Sequence, residues 1–360
     1  MIGARFKLAR AAAGLSLRQL EDALGSLVTA QALGKYERDE MMPSSDVLIA
    51  LSKTLDVSVD YLLNPADVEL LGVEFRKKEL TSAKETAEVQ ARILSEVERY
   101  ISIEHILAIE LSQVFPETSR PIVRSLEEAE AAAHELRRKW KLGGDPIPNL
   151  CEFLEEKGIK ICALDLPESV SGVQADVTSA RGKHIPVVVL NRNHAVERQR
   201  FTMAHELAHM YLKFEGRLDR EKACNRFAGA FLMPKEMFLR EVGTHRSSIA
   251  VRELFQLKKR FGASAQAIVY RCKELGIFSQ ALYAQVFKVF AVNGWKVKEP
   301  SELSAEPPER FERLCLRALS EGVISESRAA ELLRISVRTL EKLIDQPPER
   351  DATGGHPSGI

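Results

Sequence analysis

Phe201-Thr202-Met203-Ala204-His205-Glu206-Leu207-Ala208-His209-Met210-Tyr211-Leu212 is the stretch on which the reading of the chain turns. Two histidines four residues apart on a helix stand on one face, about one turn apart, so their imidazoles can converge on one metal ion. Glu206, beside the first, can point at a water on that metal. This is the H-E-x-x-H arrangement, in which two neutral imidazoles hold zinc and the glutamate serves as general base. Five positions with three fixed residues recur by chance in long chains, so the flanks decide. Phe201, Ala204, Ala208 and Leu212 form one apolar stripe, which makes the segment an amphipathic helix whose other side can face a site. A catalytic zinc also needs a third protein ligand and one open position. Glu221-Lys222-Ala223-Cys224-Asn225-Arg226-Phe227-Ala228 offers one at the start of a second helix. Glu221 lies four before Asn225, so the two share a face, and a turn around Gly216 can fold this helix back on the first.

His205-Glu206-x-x-His209, then Glu221-x-x-Cys224-Asn225-x-Phe227-Ala228 and Phe231-Leu232-Met233-Pro234, resembles the ImmA/IrrE-type zinc metallopeptidases. The resemblance implies His205, His209 and Glu221 as zinc ligands and Glu206 as general base. One departure is Cys224, which stands where that family usually carries alanine. A small buried thiol is a mild change for packing; the other reading makes it a stray soft ligand beside the zinc.

The 360 residues are 45% hydrophobic, with 51 basic and 51 acidic side chains. That length suggests two or three domains with ample core. Zero net charge excludes a broad nucleic-acid coat but allows a local reading head. The five cysteines, Cys151, Cys162, Cys224, Cys272 and Cys315, form no C-x-x-C pair and leave an odd one over. Reduced thiols in the cytoplasm are the simplest account. Arg5, Lys7 and Arg10 interrupt the first apolar residues, so neither a signal peptide nor a membrane span is expected there.

Residues 1–64 read as five short helices. Ile2 to Ala13 has helical spacing and stops at Gly14. Ser16-Leu17-Arg18-Gln19 makes a capping box, and the helix it opens ends at Gly25. Thr29 caps a third helix running through Tyr36; Ser44 and Ser58 start a fourth and a fifth. Two short helices joined by a tight turn inside a small bundle are the layout of a helix-turn-helix reader, whose second helix enters the major groove. Gln31 is the base-reading candidate, because its amide can bond adenine bidentately, and Lys35 suits phosphate or guanine. Seven basic against eight acidic side chains in this segment leave protein binding as the competing use of the bundle.

Gly14-Leu15-Ser16-Leu17-Arg18-Gln19-Leu20, Lys35-Tyr36-Glu37-Arg38, Pro43 and the run from Leu48 to Leu62 are similar to the phage-repressor (XRE, Cro-like) DNA-binding domain. The resemblance implies a DNA operator as partner, contacted through Thr29, Gln31, Lys35 and Arg38, and a possible homodimer, since two-fold operators suit paired heads. Asp39 stands where glycine usually follows Tyr-Glu-Arg, a position at which aspartate tolerates a left-handed turn. Gly34 lies inside the recognition helix and weakens it by roughly 1 kcal/mol relative to alanine.

Asn64-Pro65 ends the head. Residues 65–125 form a helical connector with a long amphipathic helix, whose apolar stripe (Ile93, Val97, Ile101 and neighbours, with Phe75 and Leu80 before it) can pack on the next domain or serve as a dimer seam. Residues 126–276 are assigned to the metallopeptidase domain: helices at 127–140 and 148–157, then strands at 159–164, 172–177 and 185–190. The last is nearly all apolar and therefore central. Helices at 248–261 and 265–275, around Gly262, close the domain. Residues 277–345 are expected to hold a strand at Ala284 to Val292 and a small helical tail with helix-turn-helix rhythm, a packing or partner-binding module. The Pro/Gly-rich end, 346–360, is expected to be disordered. The fold class is thus multidomain: an all-α helix-turn-helix bundle, a mainly helical α+β zincin-like metallopeptidase domain, and a small helical C-terminal tail.

These parts together describe a transcriptional regulator that combines sequence-specific DNA binding with a zinc endopeptidase. Glu206 would accept the proton as water attacks a peptide carbonyl polarised by zinc. By resemblance, the substrate would be a repressor-type protein. The alternative is a DNA-binding regulator whose zinc domain senses or interacts without cleaving, and a third reading is a free protease whose head recruits substrate. His184, His194, His245 and Tyr211 are open candidates for the oxyanion stabiliser.

Overall fold

A computed structural model of the chain describes residues 2–63, 70–75, 83–109, 115, 120–168, 170–179, 184–300 and 303–345. The expected tail at 346–360, part of the connector, and Leu80 lie outside these residues.

The N-terminal bundle comprises α1 (Gly3–Ala12), α2 (Leu17–Ala23), α3 (Ala30–Glu37), α4 (Ser45–Leu55) and α5 (Val59–Leu63). Its boundaries follow the local chemistry. Ser16 Oγ accepts from Gln19 N while Gln19 Oε1 accepts from Ser16 N, completing the capping box before α2. Thr29 caps α3 by accepting from Ala32 N at 3.2 Å. Asp39 is left-handed (φ 55°), and its carboxylate accepts from Gly3 N at 2.8 Å, capping α1 as well. Gly3 itself is needed there, because a Cβ would sit 2.5 Å from the Glu37 carbonyl oxygen. Phe6, Leu20, Leu33, Leu51 and Leu62 form the core of this bundle.

Beyond it the chain builds β1 (Leu70–Phe75), α6 (Ala83–Ile106), β2 (Ile122–Val123), α7 (Leu126–Lys139), α8 (Leu150–Glu156), β3 (Lys160–Leu164), β4 (Gly172–Ser179) and β5 (His184–Asn191). It continues through α9 (Val196–Tyr211), β6 (Lys213–Phe214), α10 (Arg220–Leu232), α11 (Lys235–Val242), α12 (Val251–Phe261), α13 (Ala265–Glu274) and α14 (Gln280–Val292). The main sheet has the order β1-β4-β5-β3, with β3 parallel to β5 and the other pairs antiparallel. The apolar β5 is interior, as expected. β1, inside the expected helical connector, was not foreseen; it pairs along β4 from Leu70 opposite Ser179 to Phe75 opposite Ala175. The expected strand at Ala284 to Val292 is instead the helix α14, capped by Ser279. Leu282, Tyr283, Val286, Phe287 and Phe290 repeat at three- and four-residue intervals, the helical period, and pack on the domain core.

The last helices are α15 (Arg310–Ser320), α16 (Glu326–Leu333) and α17 (Val337–Asp345), with the α16–α17 turn passing through left-handed Arg334. By contacts the chain divides into two units. One takes the N-terminal bundle, α6 and α15–α17; the other takes β1 and everything between α6 and α15. Within the first, Tyr100 and Ile103 of α6 share a core with Leu314, Cys315, Ala318 and Leu340. Arg5 of α1 pairs with Glu98 of α6 at 2.8 Å, and Arg310 of α15 with Glu104 at 2.7 Å. Ile93 and Val97 are fully buried. The α6 stripe is therefore used inside the chain rather than left as an open seam. The architecture is multidomain: an all-α head joined to a mainly helical α+β domain.

Candidate metal centre and nucleic-acid interface

β5 leads through a turn at residues 192–195 into α9, which carries the histidines. Asn191 ties that turn by donating to the carbonyls of Leu166, Pro167 and Val170. Arg200, buried on the first half of α9, donates to the Ile147 carbonyl at 2.7 Å and pairs with Glu306. Gly172 of β4 faces α9 so closely that a Cβ there would lie 2.5 Å from Thr202 Cγ2. At the other end, Arg120 donates to the carbonyls of His209 (2.6 Å) and Leu212, the unsatisfied acceptors at the end of α9. Gly216 turns the chain with φ 78°, and Asp219 caps α10 by accepting from Lys222 N. α10 is locked from its far side by Arg226, which bonds Glu130 of α7 at 2.5 Å and pairs with Glu274 of α13. Burial alone would raise the Glu130 carboxyl, but His134, Arg271 and Arg226 together hold it well below the usual carboxylate range.

On this frame His205 Nε2 and His209 Nε2 stand 3.1 Å apart. Glu221 brings Oε2 to 3.4 Å from His205 Nε2 and Oε1 to 3.6 Å from His209 Nε2. Ligands at about 2.0 Å on a tetrahedral ion are separated by about 3.3 Å, so this donor set fits zinc. His205 Nδ1 lies 2.9 Å from Asn225 Oδ1. A carbonyl oxygen there accepts the Nδ1 proton, leaving the Nε2 lone pair for the metal. Sequence reading placed Asn225 on one face with Glu221 without assigning it work; its i+4 spacing from Glu221 was the signal.

Cys224 Sγ also belongs to a group whose donor atoms, with His205 and His209, lie within 4.8 Å of one another. The carboxylate is the better third donor on physical grounds. It lines the open cleft, whereas the thiol is fully buried. That cleft, about 450 Å³, holds Glu206, His209 and Glu221 between Gly172–Gln174 of β4 on one side and Lys213, Phe214 and Arg220 on the other. Glu206 is nine-tenths buried at its edge. None of His184, His194, His245 and Tyr211 lines the cleft. His194 instead bonds the Glu168 carbonyl at 3.1 Å, and Tyr211 packs on Phe115 and Phe227.

In the head, Leu33, Gly34 and Tyr36 turn inward, while Thr29, Gln31, Lys35 and Arg38 are exposed. Gln31 and Lys35, four apart, project from the same side of α3. Arg38 is folded onto Glu40 in a two-point pair, 2.7 and 3.0 Å, which raises the guanidinium and lowers the carboxyl in their titration. Glu21 of α2 accepts from Ala30 N at 3.1 Å, fixing the start of α3.

The fold and these two constellations define a helix-turn-helix protein with an appended metallopeptidase-type domain. Residues 6–62 match the helix-turn-helix family, and residues 154–273 match the family of the IrrE N-terminal-like domain, so the chain carries an XRE-type head and an ImmA/IrrE-type domain. It is similar to the HTH-type transcriptional regulator ImmR of Bacillus subtilis (strain 168), 27% identical over 138 residues, which cover 38% of this chain and 98% of ImmR. It is also similar to YonR, an SPbeta prophage-derived uncharacterized HTH-type transcriptional regulator of the same organism. That match is 41% identical over 63 residues, covering 18% of this chain and 56% of YonR. No helix among the described residues is long and apolar enough to cross a membrane.

Proposed function

We propose that the chain is a transcriptional regulator that binds a DNA operator through α3 and cuts a repressor-type protein with a zinc-dependent endopeptidase site. The observation that carries the reading is the convergence of His205, His209 and Glu221 beside a cleft lined by His209, Glu221 and Glu206. The two relatives, both named as HTH-type transcriptional regulators, support the regulatory half. Five buried cysteines, with no disulfide among the described residues, fit a reducing compartment such as the cytoplasm. Pairing of two heads on a two-fold operator belongs to the same proposal.

His205, His209 and Glu221 would hold zinc, which when bound would supply a Lewis acid and lower the pKa of water so that it could act as a nucleophile at neutral pH. Asn225 holds His205 in the tautomer that presents Nε2. Glu206 takes one proton from the attacking water as its oxygen bonds the substrate carbonyl carbon. The same carboxyl then gives that proton to the departing amine as the C–N bond breaks, so Glu206 ends as it began.

The test is metal content and cleavage measured together on candidate repressors. One zinc per chain, with cleavage abolished and zinc retained in Glu206→Gln, is the expected result. Stoichiometric zinc and operator binding without cleavage of any candidate would instead establish a non-cleaving sensor.

A further inference from the structure

We infer that the cleft selects a peptide bearing an acidic side chain next to the bond to be cut, held by Arg220 and Lys213; this rests on the peptidase reading above. The cleft's two carboxylates, Glu206 and Glu221, are committed to the metal and its water. The charged residues left over, Arg120, Lys213 and Arg220, are all cationic. Arg120 is used internally, on the carbonyls of His209 and Leu212.

Lys213 and Arg220 are exposed, and neither meets a carboxylate among the described residues. Other cations of the domain do meet carboxylates: Lys258 pairs with Glu197 and Glu299, Arg246 with Glu253, Arg124 with Glu215. Arg220 also sits at the first position of α10, where the positive end of the helix disfavours a cation. The adjacent Asp219 gives it no relief, since that carboxylate serves Lys222. What sets Arg220 apart from other exposed cations is its place in the lining of the cleft that holds Glu206 and Glu221.

Its direction is also fixed. The guanidinium lies over the Phe214 ring, 6.0 Å from its centroid, and Phe214 meets the His209 ring edge-on at 6.2 Å. One ring therefore spaces Arg220 from the metal side of the cleft. A planar guanidinium binds a carboxylate with two parallel hydrogen bonds, and the nearby ammonium adds attraction at long range. A lysine or arginine in the same substrate position would be repelled.

Two mixtures of fluorescently labelled, otherwise randomised peptides serve as probes, one with Asp or Glu fixed beside an apolar pair and one with Lys or Arg fixed there. Binding is measured on the full-length, zinc-loaded Glu206→Gln variant by fluorescence polarisation, and cleavage on the unmutated chain. The acidic mixture is expected to bind roughly three- to tenfold more tightly, with the preference shrinking as salt rises. Arg220→Glu should invert the preference while zinc content stays at one per chain, and Arg220→Lys should keep most of it. Equal binding of the two mixtures, or a preference unmoved in a Lys213→Glu/Arg220→Glu double variant that retains zinc, overturns the inference. An acidic preference in binding without cleavage by the unmutated chain would sink the peptidase reading and leave only the acidic-peptide binding by Arg220 and Lys213 standing.

Discussion

The pairs α2–α3 and α9–α10 are both two helices joined by a turn, yet they put their functional side chains in opposite places. In α9–α10 the polar groups converge: His205, His209 and Glu221 lie 3.1–3.6 Å from one another, and Asn225 lies 2.9 Å from His205. In α3 they diverge, with Gln31 and Lys35 projecting into solvent from a helix whose other face is buried. A convergent site shows its chemistry within the molecule, because its members answer one another. A projecting site is completed only by the surface it meets, and its residues can be ranked only by what that surface would offer.

That contrast can be broken first at Glu206. Glu206→Gln is expected to lower the cleavage rate by about 10²–10⁴-fold while leaving zinc in place, read by steady-state cleavage beside metal analysis. A smaller drop would mean that the converged carboxylate is not the base. Next come the ligands: Glu221→Ala should strip zinc, and Asn225→Ala should weaken it by about 10–100-fold in competition with a chromophoric chelator. Cys224→Ala should leave zinc affinity where it was; loss of zinc in that variant would make the thiol the third ligand. In the projecting site, Gln31→Ala should cost about 1–3 kcal/mol at one base pair of the operator and relax specificity there. Lys35→Ala should weaken all sequences alike and reduce the salt slope of binding by about one, measured by titrations at several salt concentrations. The smallest effect is in stability. A Cβ at Gly34 would find only the Arg38 side chain at 3.4 Å and Leu17 Cδ1 at 3.6 Å, so Gly34→Ala should stabilise the head by up to about 1 kcal/mol in denaturant unfolding. Destabilisation would show that α2 and α3 approach too closely for any side chain.

Much of this arrangement was legible in the residues because it is local. The capping box at Ser16, the Thr29 cap, the left-handed Asp39 and the i, i+4 histidines each depend on neighbours a few positions away, and each is found as read. What was not legible depends on partners far along the chain. β1 has no meaning without β4, about a hundred residues later. Arg120 enters the cleft only because β2 pairs with β6, carrying it to the end of α9. α14 misled for a different reason: its run of β-branched and aromatic residues has strand propensity, and burial of one helical face overrode it.

The body that supports the DNA-reading head draws on three separate stretches, residues up to 63, α6 and the C-terminal helices from Arg310 onward, with β1 of the peptidase-type domain spliced between the first two and the rest of that domain between the last two. A ribosome therefore releases α1–α6 long before the helices that complete their packing. Until α15–α17 emerge, Tyr100 and Ile103 have no cover from Leu314, Cys315, Ala318 and Leu340. A nascent chain thus carries both histidines and Glu221 while the core that α6 shares with the C-terminal helices is still incomplete.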